Sequence, residues 1–305
     1  MEKKYALFFA LFLIGICTTI SSCSIFNPPE VIPCYGHIDS IPLIITNASV
    51  QGTSANGINC AWVYVDDNPV GAFQLPCTFP VIATTGPHKV EIFAGISENG
   101  ENETRLKYPF YTAYTSSGVT LTQGAVTKFK LSTNYASWTD IPLLEDFDND
   151  LNPQFSTISS IAESDTSMFI IHKGTNSNVY QGIASGEVYL DGVKHTTYYG
   201  FSDTFDLANN GDAIFLELNY KSNSAFGIGI NSAYISQFIP PFIYIDTANT
   251  WKKLYVNLQP AIQGANVPAE NGEDGYRIYF YMQTATAGVP EILYLDNIKL
   301  VRYKQ

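Results

Sequence analysis

The chain has 305 residues, with 28 acidic and 16 basic side chains and a formal net charge of −12 at pH 7. An acidic surface of this kind repels nucleic acid and anionic lipid headgroups, which excludes both as expected ligands. Charged residues make up only 14% of the chain, whereas 20 tyrosines and 19 phenylalanines are present, a balance that favours β-sheets over helices. The length is sufficient for two domains.

Residues 1–22 have the layout of a secretory signal. Lys3 and Lys4 form a short positive start, residues 5–16 form an apolar core, and two small serines precede Cys23. The apolar core is shorter than the roughly 20 residues that a spanning helix needs, which argues against a transmembrane anchor. We therefore expect residues 1–22 to be removed on export.

The sequence Ile-Ser-Ser-Cys that ends at Cys23 resembles the bacterial lipobox. The resemblance implies that the thiol of Cys23 receives a covalent lipid and that this residue becomes the new amino terminus. Several acyl chains together hold a protein stably on a bilayer where a single chain would not. The following residues 24–33 are rich in proline, so we expect residues 23–36 to form an extended, lipidated tether on the outer-membrane lipid.

Three further cysteines, Cys34, Cys60 and Cys77, would then lie in an oxidising compartment. Cys60 and Cys77 flank a predicted hairpin, so they are the first choice for a disulfide, and a pairing to Cys34 is the alternative. Metal ligation by these thiols is not indicated, because the chain has no C-x-x-C spacing and its four histidines are scattered.

Residues 37–140 predict a first domain of short strands separated by turns. In residues 62–65 the Trp and Tyr side chains point to one side of a strand and the two valines point to the other. An Asp-Asp-Asn-Pro turn then reverses the chain into a second strand. Later runs alternate in the same way, and we expect a hairpin around Gly124.

Two resemblances concern this first domain. The order V-x-V-D, a turn, V-G and then G-x-H-x-V-x-I, found in residues 60–95, resembles the PEGA-type β-sandwich of bacterial envelope proteins. It implies that residues 37–140 form a β-sandwich. The segments HIDSIPL, AWVYVDDNPVGAFQLP, TRLKYPFY and EDFD, in this order, resemble a family of lipoproteins from Bacteroidota. This second resemblance implies an outer-membrane lipoprotein and assigns no catalytic residue.

Residues 141–305 predict a second all-β domain. Eight or so short strands recur between Gly, Asn and Asp turns, and no stretch has convincing helical periodicity. The predicted fold class is therefore all-β, with two β-sandwich domains in tandem, the second a jelly roll. The acidic, aromatic start at residues 145–147 and the closing strand around Asp296 resemble the jelly rolls of galactose-binding and carbohydrate-binding modules.

The acidic residues at the two ends of this domain predict a calcium site. The first and last strands of a jelly roll can lie side by side, which would bring Glu145, Asp146 and Asp296 together. Calcium prefers carboxylate and carbonyl oxygens, so a structural Ca²⁺ is the predicted cofactor. The alternative is that Asp296 makes a turn or hydrogen-bonds an edge strand.

Aromatic residues supply the predicted binding surfaces. Tyr198, Tyr199 and Asp203 fall in a loop or strand edge where sugar rings can stack on aromatic faces, although the same rings can instead fill the sandwich core. Phe238 and Phe242 flank a double proline that prevents full pairing in a central strand. We expect this apolar segment to be exposed as a docking surface for a protein partner rather than tucked over the end of the sandwich.

Motifs of hydrolytic enzymes are missing from the sequence. It contains neither a G-x-S-x-G elbow nor an H-E-x-x-H spacing, so no catalytic residue and no enzyme activity are predicted. Two functions are consistent with these features. The first is a lipid-anchored binding or scaffold subunit of an outer-membrane assembly, with a β-barrel protein or another lipoprotein as partner. The alternative is a surface lipoprotein that binds a glycan through its jelly roll.

The expected location is the outer membrane, with the cell surface favoured over the periplasmic face. Surface export of Bacteroidota lipoproteins commonly uses acidic residues soon after the lipidated cysteine. Here six uncharged residues separate Cys23 from Glu30, which weakens the assignment to the surface without establishing the other side.

Overall fold

A computed structural model of the protein describes residues 30–101, 103–148, 153–173, 177–232, 238–264 and 275–305. These residues form strands over most of their length, which confirms the predicted all-β fold. Short helical segments lie at α1 (Ala48–Gln51), α2 (Gln259–Gly264) and a 3-10 turn (Glu98–Gly100). Among the described residues, the helices are too short and too polar to cross a membrane.

Eight strands form the first β-sandwich: β1 (Cys34–Ile38), β2 (Cys60–Val65), β3 (Asn68–Gln74), β4 (Cys77–Val81), β5 (Gly86–Ser97), β6 (Arg105–Lys107), β7 (Tyr114–Leu121) and β8 (Val126–Phe129). One sheet has three strands in the order β4-β1-β8. The other has five, in the order β3-β2-β5-β6, with β7 also paired to β5. The inward side chains of both sheets, among them Val63, Phe79 and Ile92, form its core.

The start of this sandwich and one of its strand pairings differ from the prediction. The predicted tether, residues 23–36, is too long, because β1 begins at Cys34 and pairs with both β4 and β8. The predicted hairpin around Gly124 is wrong, because β7 pairs with β5 whereas β8 runs parallel to β1 in the other sheet. The intervening residues carry the chain from one sheet to the other, and the N–H of Gly124 donates to the carbonyl of Pro33 at 2.9 Å.

The predicted disulfide between Cys60 and Cys77 is not formed. Cys34, Cys60 and Cys77 are all free thiols in the described part of the chain. Cys60 lies in the five-stranded sheet opposite Gly95, whereas Cys77 lies in the three-stranded sheet opposite Ile38. The hairpin of β2 and β3 ends before Cys77, and the chain changes sheets between the two cysteines. Burial raises the pKa of both thiols, which keeps them protonated and unreactive.

Ten strands form the second β-sandwich: β9 (Thr139–Glu145), β10 (Phe169–His172), β11 (Ala184–Leu190), β12 (Thr197–Asp206), β13 (Phe215–Ser222), β14 (Phe226–Ser232), β15 (Ile243–Ile245), β16 (Ala248–Asn257), β17 (Gly275–Gln283) and β18 (Glu291–Tyr303). The six-stranded sheet has the order β10-β11-β18-β13-β16, with β9 paired to the second half of β18. The four-stranded sheet has the order β12-β17-β14-β15. Their facing side chains form the second core.

The six-stranded sheet is covered on both faces. Along β13, Leu216 faces the second core, whereas Phe215 and Glu217 face the first sandwich. The rings of Phe215 and Tyr108 lie 5.2 Å apart between centroids. The hydroxyls of Tyr108 and Tyr135 donate to the carboxylate of Glu217 at 2.7 and 3.1 Å. The two sandwiches therefore share a packed interface, and the four-stranded sheet keeps its outer face away from it.

Candidate functional site

A row of tyrosines crosses the outer face of the four-stranded sheet. Tyr199 on β12 pairs with Tyr281 on β17, Tyr281 pairs with Gly227 on β14, and Gly227 pairs with Tyr244 on β15. Residues directly opposite on neighbouring strands point to the same face of a sheet. The three tyrosines therefore form one surface, and we call Tyr199, Tyr244 and Tyr281 the tyrosine platform.

Two glycines on β14 explain why aromatic rings can lie over this sheet. A Cβ atom added at Gly229 would lie 2.1 Å from Cζ of Tyr279, and one added at Gly227 would lie 3.2 Å from Cδ1 of Tyr281. The rings of the two tyrosines thus occupy the space that side chains on β14 would otherwise fill. Glycine at these positions lets the aromatic residues of β17 cover the neighbouring strand.

A buried aromatic layer supports the platform. Tyr279 is fully buried, and its ring lies 5.2 Å from that of Phe201 and 5.4 Å from that of Phe238. The hydroxyl of Tyr279 donates to the carbonyl of Ile239 at 2.5 Å. Burial raises the pKa of Tyr279 far above its ordinary value, so the hydroxyl stays a donor at every physiological pH. These contacts hold the neighbouring platform rings in place.

The platform rings themselves remain accessible. Tyr199 and Tyr281 are half-buried, and Tyr244 is 60% exposed. The centroids of Tyr199 and Tyr281 lie 4.7 Å apart with their planes tilted by 33°, and those of Tyr244 and Tyr281 lie 6.3 Å apart at 79°. Burial, together with the neighbouring Tyr281, raises the pKa of Tyr199 to about 12, so its phenol is neutral and can both donate and accept hydrogen bonds.

Polar groups border the platform. The hydroxyl of Tyr281 donates to Oε1 of Gln283 at 2.6 Å, and Gln283 lies opposite Thr197 in the next row of the sheet. Sugar rings present apolar C–H faces and hydroxyl edges, which match aromatic faces flanked by hydroxyl and amide groups. The outer face of the four-stranded sheet has this arrangement of groups and is chemically suited to bind a glycan.

The structure places the three residues predicted to bind a ligand at different depths. Tyr199 lies on the platform. Tyr198 has no exposed surface and points into the second core opposite Met282, which corrects its assignment to a ligand surface. Asp203 is exposed, at the point where the pairing of β12 with β17 shifts register. The pleat of β12 separates the two adjacent tyrosines, because successive side chains point to opposite faces.

Sequence reasoning missed Tyr244 and Tyr281. The run from 276 to 283 alternates, with Tyr279 and Tyr281 on one face and Ile278 and Phe280 on the other. This alternation was available as a signal, but apolar and aromatic residues on both faces also describe a strand that is buried on both sides. The glycines of β14 show that one face of this strand is accessible, but only when the cross-strand partners of those glycines are known.

The predicted docking residues lie beside the platform. Phe238 is half-buried and packs against Tyr199, with 5.3 Å between ring centroids. Phe242 is 38% exposed, and its N–H donates to the carbonyl of Ile228 at 3.1 Å. The double proline between them confines regular pairing to the short edge strand β15, in keeping with the ladder hydrogen bonds that proline cannot make. Docking of a partner here stays a prediction.

The carboxylates of the predicted calcium site have other partners. Glu145 accepts two backbone N–H groups at 2.8 and 2.7 Å, and Asp146 accepts one at 3.2 Å. Asp296 accepts the hydroxyl of Ser185 at 2.7 Å. Within the described ranges, no group of three His, Cys, Asp or Glu side chains lies close enough together to hold a metal ion. The structure therefore does not gather these oxygens around one point, and calcium binding stays a prediction.

Comparisons with known proteins give only distant likenesses. No protein-family model and no curated protein sequence matches this chain. Among solved structures, it is similar to one described as the basis for promiscuous specificity of carbohydrate-binding modules from the β-sandwich superfamily, at 15% identity and a TM-score of 0.36, over 89% of this chain and 99% of that chain.

It is also similar to a family 11 carbohydrate-binding module of a Clostridium thermocellum cellulase, at 14% identity and a TM-score of 0.32, over 54% of this chain and 96% of that chain. A third likeness is to the K3 cleaved adhesin domain of Lys-gingipain from Porphyromonas gingivalis, at 13% identity and a TM-score of 0.34, over 53% and 98% of the two chains. Scores this low transfer neither a ligand nor a binding residue, so the tyrosine platform is interpreted from its own geometry.

Proposed function

We propose that the protein is a non-enzymatic, lipid-anchored lipoprotein of the outer membrane that binds a glycan on its tyrosine platform. The observation that carries this proposal is the row of Tyr199, Tyr281 and Tyr244 across four paired strands, held by a buried aromatic layer and left accessible on its outer side. A row of accessible aromatic rings of this kind can contact successive sugars of an extended chain, with Gln283 and the phenol groups supplying hydrogen bonds.

The proposal is tested by screening the full chain, in detergent, on a glycan array and then titrating the best ligand. Tyr199→Ala and Tyr281→Ala are each expected to weaken binding about tenfold, since one stacking contact contributes roughly 1.4 kcal/mol. The matched control is Tyr189→Ala, because Tyr189 is a tyrosine that is 38% exposed but lies on the six-stranded sheet. Binding that survives both platform substitutions, or that the control weakens equally, contradicts the proposal.

Membrane attachment through Cys23 is the second part of the proposal and is supported by the lipobox-like sequence. Cys23→Ser is expected to move most of the protein from the envelope fraction to the soluble fraction, because no acyl chain can be added. Metabolic labelling with a fatty acid should mark the unsubstituted protein alone. An envelope-bound Cys23→Ser protein would show that another element makes the attachment. Protease treatment of intact cells then distinguishes the cell surface from the periplasmic face.

A second candidate function is that of a subunit in an outer-membrane assembly. It is favoured by the exposed edge strand β15 with Tyr244 and the neighbouring Phe242. Affinity isolation from solubilised membranes tests it. Stoichiometric recovery of a β-barrel protein or another lipoprotein, lost in Phe242→Ser while glycan binding is kept, would favour this function. Recovery of the tagged protein alone, together with binding on the array, favours the glycan-binding function.

A further inference from the structure

A polar cleft lies where the two sandwiches meet, on the side of the molecule formed by β16. Its volume is about 540 Å³. The first sandwich contributes residues 56–59 and the 3-10 turn after β5, and the second contributes the outer face of β13 and β16. None of the platform tyrosines lines it. The cleft is therefore a second concave site, separate from the tyrosine platform.

Three buried polar atoms in the cleft wall have no hydrogen-bond partner among the described residues: Oδ1 of Asn59, Oδ1 of Asn219 and Nζ of Lys253. Asn219 is 2% exposed and the Lys253 side chain 4% exposed. Lys253 forms an ion pair with Glu217 at 3.4 Å, but an ammonium group has three N–H donors and this long contact engages at most one of them. Buried polar atoms without partners are rare in folded proteins, and here they line one cavity.

An aromatic wall stands beside these polar atoms. Trp251 is half-buried, and the centroid of its ring lies 5.2 Å from that of Tyr180, with the planes tilted by 45°. Tyr180 is 39% exposed. Both residues line the cleft. An indole face next to unsatisfied donors and acceptors is the combination that orients a sugar ring.

The charge of the cleft differs from that of the whole chain. The chain has a net charge of −12, yet the described residues that line the cleft include Lys252 and Lys253 and no Asp or Glu. Burial lowers the pKa of Lys253, because its ammonium group is poorly solvated there. An anion placed against Nζ would restore part of the lost solvation. Glu217 offsets the charge of Lys253 only in part, because Lys299 also faces its carboxylate, so the local field favours an anionic ligand over a neutral one.

We propose that this cleft binds a sugar that carries an anionic substituent, a carboxylate or a sulfate, with the sugar ring against Trp251 and the anionic group on Lys253. The amide oxygens of Asn59 and Asn219 would accept hydrogen bonds from the sugar hydroxyls. This inference goes beyond the proposed function and rests on different residues, so either site can be absent without affecting the other.

The test uses isothermal titration and tryptophan fluorescence on the full chain in detergent, with galacturonic acid, galactose 6-sulfate and galactose as probes. We expect at least one of the two anionic sugars to bind and to change the tryptophan fluorescence, with galactose at least tenfold weaker. Whichever anionic sugar binds more tightly identifies the substituent. Equal binding of galactose, or no binding of either anion, would overturn the proposal.

Two substitutions locate the site. Trp251→Ala removes the aromatic wall, and Lys253→Met removes the buried ammonium group while keeping an unbranched side chain. Each is expected to weaken anionic-sugar binding about tenfold or more. Trp138→Ala is the matched control, because Trp138 is 49% exposed and lies away from the cleft. Anion binding that both Trp251→Ala and Lys253→Met leave unchanged refutes this location, and unchanged binding in Tyr281→Ala separates it from the platform.

Discussion

Asp296 shows how one buried carboxyl group couples the fold to pH. Its carboxylate is 1% exposed and accepts the hydroxyl of Ser185 and the N–H of Asn297, each at 2.7 Å. Burial outweighs these hydrogen bonds and raises the pKa of Asp296 to about 7. The folded state therefore retains a proton that the unfolded chain, with an ordinary pKa of about 3.9, releases three pH units earlier.

This difference predicts that Asp296 makes the fold less stable as pH rises. Between about pH 4 and pH 7 the folded state binds more protons than the unfolded state, so the free energy of unfolding falls, by up to about 4 kcal/mol, and is level above pH 7. Denaturant unfolding of the unsubstituted protein and of Asp296→Asn at several pH values measures how the free energy of unfolding depends on pH. The difference in free energy of unfolding between the two proteins should shrink or change sign between about pH 4 and pH 7. Curves of free energy against pH that run parallel would show that Asp296 is not the group responsible.

Single residues also mark the limit of prediction from the sequence. Tyr198 and Tyr199 are adjacent and chemically identical, and only the pairing of β12 with β17 decides which one faces the core. Tyr198 lies opposite the buried Met282, and Tyr199 lies opposite Tyr281. A strand with aromatic residues on both faces has no polar face to fix its orientation. The sequence therefore indicated this aromatic segment but not which of the two tyrosines lies on the platform.

At the scale of elements, β14 determines the shape of the platform. Gly229→Ala would place a methyl group 2.1 Å from the ring of Tyr279, which is fully buried and cannot swing away. We expect this substitution to lower the free energy of unfolding by about 1–3 kcal/mol and to weaken glycan binding by displacing the platform rings.

Gly264→Ala is the matched control for this prediction. In the part of the chain that the structure describes, no atom lies within 4 Å of the Cβ that would be added there, at the end of α2. Alanine at such a site is expected to leave binding unchanged and to keep or raise stability by up to about 1 kcal/mol. Denaturant unfolding and glycan titration of both variants give the comparison. A Gly229→Ala protein as stable as Gly264→Ala would show that the ring can move aside.

The elements of the first sandwich were predictable in kind but not in pairing. Alternation in β2 separated its two faces correctly, and the structure buries Val63 and Val65 and leaves Trp62 half-buried. The assignment of β7 and β8 to different sheets, and of Cys60 and Cys77 to different sheets, was not predictable. Sequence proximity suggests a hairpin, whereas the pairing of β8 with the distant β1 depends on contacts far apart along the chain.

At the scale of the whole molecule, a buried charged group ties the two sandwiches together. Glu217 has no exposed surface and lies between Lys253, at 3.4 Å, and the hydroxyls of Tyr108 and Tyr135. Lys299 is also fully buried and donates to the hydroxyl of Tyr135 at 3.3 Å. In the sequence, Glu217 alternates with leucines, a pattern typical of a solvent-facing strand, so the interface could not be predicted.

Removal of this carboxylate is expected to destabilise both sandwiches. Glu217→Ala leaves two buried lysines without their counter-ion and two buried hydroxyls without an acceptor, and should lower the free energy of unfolding by about 3–5 kcal/mol. Because the lost contacts join the sandwiches, calorimetry should show one transition, shifted to lower temperature. The control Glu103→Ala, at an exposed position, should stay within about 0.5 kcal/mol. Two transitions, only one of them shifted, would contradict the shared interface.

The position of β18 within its sheet has a consequence for biosynthesis. β9, β11 and β13 all pair with β18, which comes after every other strand of the second sandwich in chain order. Ribosomal synthesis delivers the chain from its amino end, so these three strands lack their central partner until residues 291–303 have been made. The second sandwich must therefore complete its folding after synthesis of the whole chain, and a chaperone that shields unpaired strand edges would act on it during that interval.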